Sequence, residues 1–180
     1  SFLADLLVGP DADLEAALTA QRAAGLPEIE VAPVAGKLLD LLVRISGARR
    51  VLEIGTLGGY SKIWLARAVG PEGRVTTIEA EQLRADVARE NLDRAGVGDR
   101  VDILVGRATD RLSELSGTFD LVFIDADKES NTQYLEHAAR LGRPGAVIVL
   151  DNVGRSGKIV DPSVTDSMTE GTRAALRMLA

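Results

Sequence analysis

From Arg50 onward the chain alternates between short apolar runs and longer stretches whose apolar positions recur every three or four residues. The first pattern suits buried strands and the second amphipathic helices. Strands are expected over 50–54, 74–79, 101–105, 119–125 and 146–150, with helices between them over 61–69, 81–95, 109–115 and 131–141. Turn chemistry separates the steps at Pro71-Glu72-Gly73, Gly96-Val97-Gly98-Asp99, Ser116-Gly117 and Arg143-Pro144-Gly145. Upstream, Pro10-Asp11 opens a helix over 11–24 that Gly25 stops, and 27–32 is a loop. Pro33 starts a second helix, because a first-turn residue needs no N–H. Leu38, Leu39, Leu41, Leu42 and Ile45 give it a broad apolar face, and Gly47 ends it. After the last strand, 153–167 reads as a mobile loop with Gly154, Gly157 and Pro162, followed by a helix-like run from Thr169.

Short apolar strands alternating with helices imply an α/β fold: a Rossmann-like, doubly wound, mostly parallel sheet with helices on both faces. Residues 1–180 are expected to form one unit, with N-terminal helices over 1–47, a binding core over 48–152, and a loop and helix over 153–180. Ligands of such sheets sit outside the carboxyl ends of the strands, where the strand order reverses. Those ends carry Glu53-Ile54-Gly55, Glu79, Gly106, Asp125 and Asp151-Asn152, so four of the five bear an acid. Carboxylates converging on one edge repel one another unless a cation joins them.

Composition narrows the partners. The chain has 180 residues, 46% hydrophobic and 27% charged, with a net charge of −6. An acidic balance argues against a nucleic-acid groove and against a polybasic membrane patch. The absence of cysteine removes thiolate nucleophiles, thiolate metal sites and disulfides. No signal peptide is visible at the start, no apolar run reaches about 18 residues, and a cytoplasmic location is expected.

The glycine turn after the first strand is the most specific motif. It is spelled Glu53-Ile54-Gly55-Thr56-Leu57-Gly58-Gly59-Tyr60-Ser61. A dinucleotide site asks for G-x-G-x-x-G, which brings backbone and helix N-terminus to a pyrophosphate. Here no G-x-G occurs, and Glu53 stands two residues before the first glycine. This E-x-G-x-x-G-G turn resembles motif I of S-adenosylmethionine-dependent methyltransferases, whose cofactor has no phosphate and a cationic amino-acid end. Glu79, 24 residues past Gly55, can accept from both hydroxyls of a ribose. That suits either cofactor and equally suits a cap on the following helix.

If the strands ending at Asp125 and Asp151 are neighbours, then Asp125, Asp151 and Asn152 meet as oxygen ligands for a hard cation such as magnesium. Lys128 enters the next helix nearby, and a lysine desolvated beside a cation can serve as a general base. Each part has a plainer explanation, a helix-start lysine and a turn pair, so the combination carries the weight. Plain roles also suffice for Trp64 in the core, Tyr60 beside the glycine turn, His137 in packing or at the surface, and 81–95 as a solvated helix face.

Together these blocks, Val51 to Ser61, Thr77 to Glu79, Gly106 to Ala108, Phe119 to Lys128 and Arg143 to Asn152, resemble the cation-dependent O-methyltransferases, the family of catechol and caffeoyl-CoA O-methyltransferases. The resemblance runs from about Val31 to Lys158. It implies that Glu53, Gly55 and Thr56 line the methionine side of the cofactor pocket, that Ser61 binds the cofactor carboxylate, and that Glu79 holds the ribose. It also implies a backbone contact from Ala108 to adenine, another from Val31, and an Asp125 that faces both the cofactor amine and the metal. Asp151 and Asn152 complete the metal site, and Lys128 is the base. The implied acceptor is a small aromatic vicinal diol, and a homodimer joined through the N-terminal helices is expected. Family members usually add a hairpin after the final helix, so one sheet edge is expected to be missing from these 180 residues. Two other readings stay open at this point, a nucleotide-dependent oxidoreductase of the same sheet class and a cofactor-binding protein without catalysis.

Overall fold

The computed structural model describes residues 2–180. Thirteen elements follow in the order α1 (Phe2–Leu7), α2 (Ala12–Ala23), α3 (Pro33–Ser46), β1 (Arg50–Ile54), α4 (Tyr60–Val69), β2 (Arg74–Glu79), α5 (Gln82–Arg94), β3 (Val101–Val105), α6 (Ala108–Glu114), β4 (Phe119–Ile124), α7 (Asn131–Leu141), β5 (Gly142–Leu150) and α8 (Ser167–Leu179). The five strands form one parallel sheet in the order β3-β2-β1-β4-β5. The chain winds outward from β1 to β3 and then returns to lay β4 on the other side of β1. The order therefore reverses between β1 and β4, and a crevice opens there at the carboxyl ends.

Alternation along the strands splits the core in two. Val51, Val75, Val101, Leu121 and Phe123 face one way and pack with α2, α3, α4 and α5. Leu52, Ile54, Ile78, Val122 and Ile124 face the other way and pack with α6, α7 and α8. Successive strand residues point to opposite faces, so Glu53 follows the parity of Val51 and points toward α4. Trp64 is buried in the first cluster, as expected. His137 is half-buried on α7, its Nδ1 3.2 Å from an Arg140 nitrogen.

Most helix ends follow local chemistry. Asp11 caps α2 by accepting from the N–H groups of Asp13 and Leu14, both at 3.1 Å. Gly47 ends α3 in the left-handed region at φ 65°. Three segments depart from expectation. First, α1 is a single short helix that no periodicity announces. Second, β5 begins at Gly142, because Gly142 pairs with Phe119 and only then does Arg143-Pro144-Gly145 bulge out before Val147 meets Leu121. The expected turn is real but lies inside the strand. Third, 153–167 is a braced segment. It contains a 3-10 stretch at Arg155–Val160, and Arg173 of α8 donates to the carbonyls of Lys158, Ile159, Asp161 and Val164.

Candidate active site

The sheet ladder continues one residue past each strand and lines up the strand ends. Gly55 N donates to Ile78 O, Asp125 N to Ile54 O, Asp151 N to Ile124 O and Gly106 N to Glu79 O, at 2.8–3.1 Å. Asp125 and Asp151 are thereby set side by side on neighbouring strands. Gly55 sits at φ 105°, and a Cβ there would lie 2.1 Å from Asp125 O. Only glycine lets the turn after β1 approach β4 this closely.

A cavity of about 710 Å³ opens above these ends. Val31, Glu53, Gly55, Thr56, Ser61, Glu79, Ala108, Asp125, Lys128 and Asn152 all line it. Asp151 stands half-buried beside the cavity without lining it. Every other site residue expected from the sequence therefore faces the same space.

Glu79 is buried, and its carboxylate organises the glycine turn. Its Oε2 accepts from Thr56 N at 3.1 Å and Leu57 N at 2.9 Å, while Oε1 accepts from Glu81 N at 3.0 Å. A carboxylate has about four acceptor positions, so these three bonds leave about one open toward the cavity.

Glu53 is not the solitary acid that the motif suggests. Its Oε1 accepts from the Ser61 hydroxyl at 2.6 Å and pairs with Lys62 Nζ at 3.0 Å. Among the described residues its Oε2 is buried without a partner. Burial pushes the Glu53 carboxyl above its ordinary range, with the Lys62 ammonium and the Ser61 hydroxyl working against that rise. Lys62 also donates to Gly55 O at 2.6 Å and Thr56 O at 2.9 Å. Reasoning from the sequence missed this lysine. The signal available was its place in Ile63-Trp64-Leu65 company, on a helix buried almost all round, where an unpaired charge is untenable.

At the other end of the crevice, Lys128 is buried and its Nζ lies 3.0 Å from Asp125 Oδ1. Asp151 Oδ1 accepts from Asn152 N at 2.6 Å, and Asn152 itself turns through φ 57° to face the cavity. Burial raises the Asp151 carboxyl, and the Asp125 charge raises it further against the help of Asn152 N and Lys128. Two carboxylates, an amide and the Lys128 side chain thus share one corner. Next to it, Tyr134 donates to Asp127, and burial together with that acid pushes the phenol upward.

A doubly wound parallel sheet with a lined crevice at its reversal point defines a protein that works on a bound small molecule. Comparison with known proteins says which kind. The O-methyltransferase family model matches residues 12–179, and the chain belongs to that family. It is 56% identical over 180 residues to the catechol O-methyltransferase of Mycobacterium tuberculosis, covering 99% of this chain and 81% of that one. It superposes with a TM-score of 0.95 on an O-methyltransferase from Bacillus cereus solved in complex with SAH, at 46% identity over 98% of this chain and 82% of that one. The O-methyltransferase TomG of Streptomyces achromogenes, involved in tomaymycin synthesis and solved with SAM, gives 0.94 at 46% identity over 99% of this chain and 82% of that one. Family membership sets aside the oxidoreductase reading.

Proposed function

We propose that this protein transfers the methyl group of S-adenosylmethionine to one hydroxyl of a small aromatic vicinal diol and needs a divalent cation, magnesium by preference, to do so. The observation that carries the reading is the corner where buried Lys128 meets Asp125 at 3.0 Å beside Asp151 and Asn152. The donor set suits a hard cation. It offers two mutually repelling carboxylates and an amide, with neither cysteine nor histidine. Among the described residues no trio of acidic, histidine or cysteine side chains gathers to hold a metal. Asn152 would offer its amide oxygen as the third protein ligand beside Asp125 and Asp151.

The cofactor assignment rests on the cavity that these residues share and on the SAM and SAH of the Streptomyces and Bacillus relatives. Glu53, Gly55, Thr56 and Ser61 take the methionine end, Glu79 the ribose, and Ala108 and Val31 make backbone contacts, while Asp125 turns to the amine. When bound, the cation lowers the pKa of the reacting hydroxyl. Lys128 receives the hydroxyl proton at Nζ. The crevice walls hold acceptor and methyl donor in line and exclude water, which favours neutralising a sulfonium with a phenolate. No covalent intermediate with the protein is required.

We read residues 1–180 as one catalytic unit, acting in the cytoplasm as expected from the sequence. We also read Val34, Leu38, Leu41 and Ile45, exposed along one stripe of α3 beside exposed Leu6 of α1, as the contact with a second copy. Among the described residues no helix is long and apolar enough to cross a membrane. The test is transfer of labelled methyl from S-adenosylmethionine to 3,4-dihydroxy aromatics, with magnesium and then with EDTA. Activity abolished by EDTA and restored by magnesium supports the reading. Activity indifferent to chelation removes the cation, and cofactor binding without turnover on any diol leaves a non-catalytic binder.

A further inference from the structure

Arg155 follows β5 and lines the cavity. Its backbone is held in the left-handed region at φ 47°, between Asn152 at φ 57° and Ser156 at φ 53°. Non-glycine residues keep this conformation only where their surroundings demand it, and such residues cluster at functional sites. Its N–H donates to Asn152 O at 3.2 Å, so the turn that presents Asn152 also presents Arg155. The guanidinium itself is poorly satisfied. Its side-chain hydrogen bond runs from Nη2 to the Met168 thioether at 3.5 Å, and among the described residues its Nε is buried with no partner. A thioether is a weak acceptor. Asp166 lies near enough to feel the charge, but among the described residues its hydrogen bonds go to Thr169 N at 3.0 Å and Thr169 Oγ1 at 2.8 Å at the start of α8, not to the guanidinium.

A guanidinium with free donors on a cavity wall is built for a planar anion, which it meets through two parallel N–H bonds. Its place in the sheet indicates whose anion. β5 and β3 are opposite edges, four strand spacings or about 19 Å apart. Residues after β3, such as Ala108, serve the adenine end in the reading above, while Arg155 stands at the acceptor end with Lys128 and Asn152.

We propose that Arg155 recognises a carboxylate carried by the acceptor ring, so that the preferred substrates are dihydroxy aromatic acids rather than neutral catechols. This rests on the methyl-transfer reading above. The experiment compares 3,4-dihydroxybenzoate with the nearly isosteric, neutral 3,4-dihydroxybenzamide on wild type, Arg155→Met and Arg155→Lys, with magnesium. Wild type is expected to favour the acid in kcat/KM. Arg155→Met should lower the acid-to-amide ratio by roughly tenfold to a hundredfold, the range of one lost charge-assisted contact. The change should fall mainly in KM, because the carboxylate is held equally before and during transfer. Arg155→Lys should recover part of the ratio, since charge survives without the fork, and this arm also guards against a misfolded Met variant. An unchanged ratio in a folded Arg155→Met protein, or a wild type with no preference for the acid, overturns the assignment and leaves methyl transfer standing. A matching loss of S-adenosylmethionine affinity by titration also overturns it, because the guanidinium would then hold the cofactor's own carboxylate. Turnover of neither acceptor by wild type brings down the methyl-transfer reading and this assignment together.

Discussion

Lys62 and Glu53 meet in the interior at 3.0 Å, each side chain 1% exposed, directly beneath the glycine turn that opens the crevice. Taking two charges out of water is costly, and removing one partner strands the other. Lys62→Met should therefore destabilise the fold by about 3–5 kcal/mol, with part of the loss from Gly55 O and Thr56 O, which lose their donor. Pairing it with Glu53→Gln should recover some stability, because the stranded charge goes with it. Urea denaturation of the singles and the double measures this, and a Lys62→Met protein within 1 kcal/mol of wild type would mean the pair is not a structural keystone.

Gly171 presses α8 against the backbone that carries Lys128. A Cβ at Gly171 would lie 2.3 Å from Lys128 O and 2.8 Å from the Glu129 Cα. Replacing a helix-interior glycine by alanine ordinarily stabilises by up to about 1 kcal/mol. Here the clash is with backbone that cannot swing aside, so Gly171→Ala should destabilise by about 1–3 kcal/mol. Methyl transfer should fall as well, because Lys128 moves with its carbonyl. A shifted urea midpoint checks the first expectation and a lowered kcat the second. A more stable variant would refute the contact.

The sheet was legible because its signals are local. Apolar runs that end in or beside an acid mark β1, β2 and β4 almost to the residue, and parallel alternation leaves little choice of topology. What escaped depends on partners distant in sequence. Gly142 belongs to β5 because Phe119 reaches across to it, which no property of Arg143-Pro144-Gly145 announces. The segment after β5 read as mobile from its glycines, yet Arg173 ties it down from α8. Arg155 was invisible for the same reason, since nothing about an arginine in a glycine-bearing loop says that it faces a cavity. The strand-end acids were legible as a set, but the lysine neutralising Glu53 was not.

Lys128 distinguishes a base from a counter-charge. Arginine would preserve the positive partner of Asp125 but cannot give up its proton. If Lys128 is the base, Lys128→Met and Lys128→Arg should both lower kcat, by roughly a hundredfold to ten-thousandfold, while S-adenosylmethionine still binds. Steady-state kinetics beside a cofactor titration settles the matter. Near-normal kcat in Lys128→Arg would leave the residue as a positive charge holding Asp125 in place.

Asp120 fastens the opposite end of the sheet, away from the chemistry. Its Oδ2 accepts from Arg49 N at 2.8 Å and Arg50 N at 2.9 Å, and its Oδ1 from Arg143 Nε at 2.6 Å. One carboxylate therefore ties the start of β1 and the β5 bulge to β4. Burial alone would raise its carboxyl, but Arg143 and the two backbone donors outweigh that and hold it below the ordinary aspartate value of 3.8. A depressed folded value means that the stabilisation is complete above the unfolded pKa, about 3.9, and is lost as pH falls through the lower folded value. Asp120→Asn should thus cost roughly 1–2 kcal/mol at pH 7, allowing for solvent screening of a partly exposed group. The gap between variant and wild type should hold constant down to about pH 5 and narrow below about pH 4. Denaturation curves for both proteins across that range test it. A gap that stays open or widens in acid would show that Asp120 works through its shape and not through its charge.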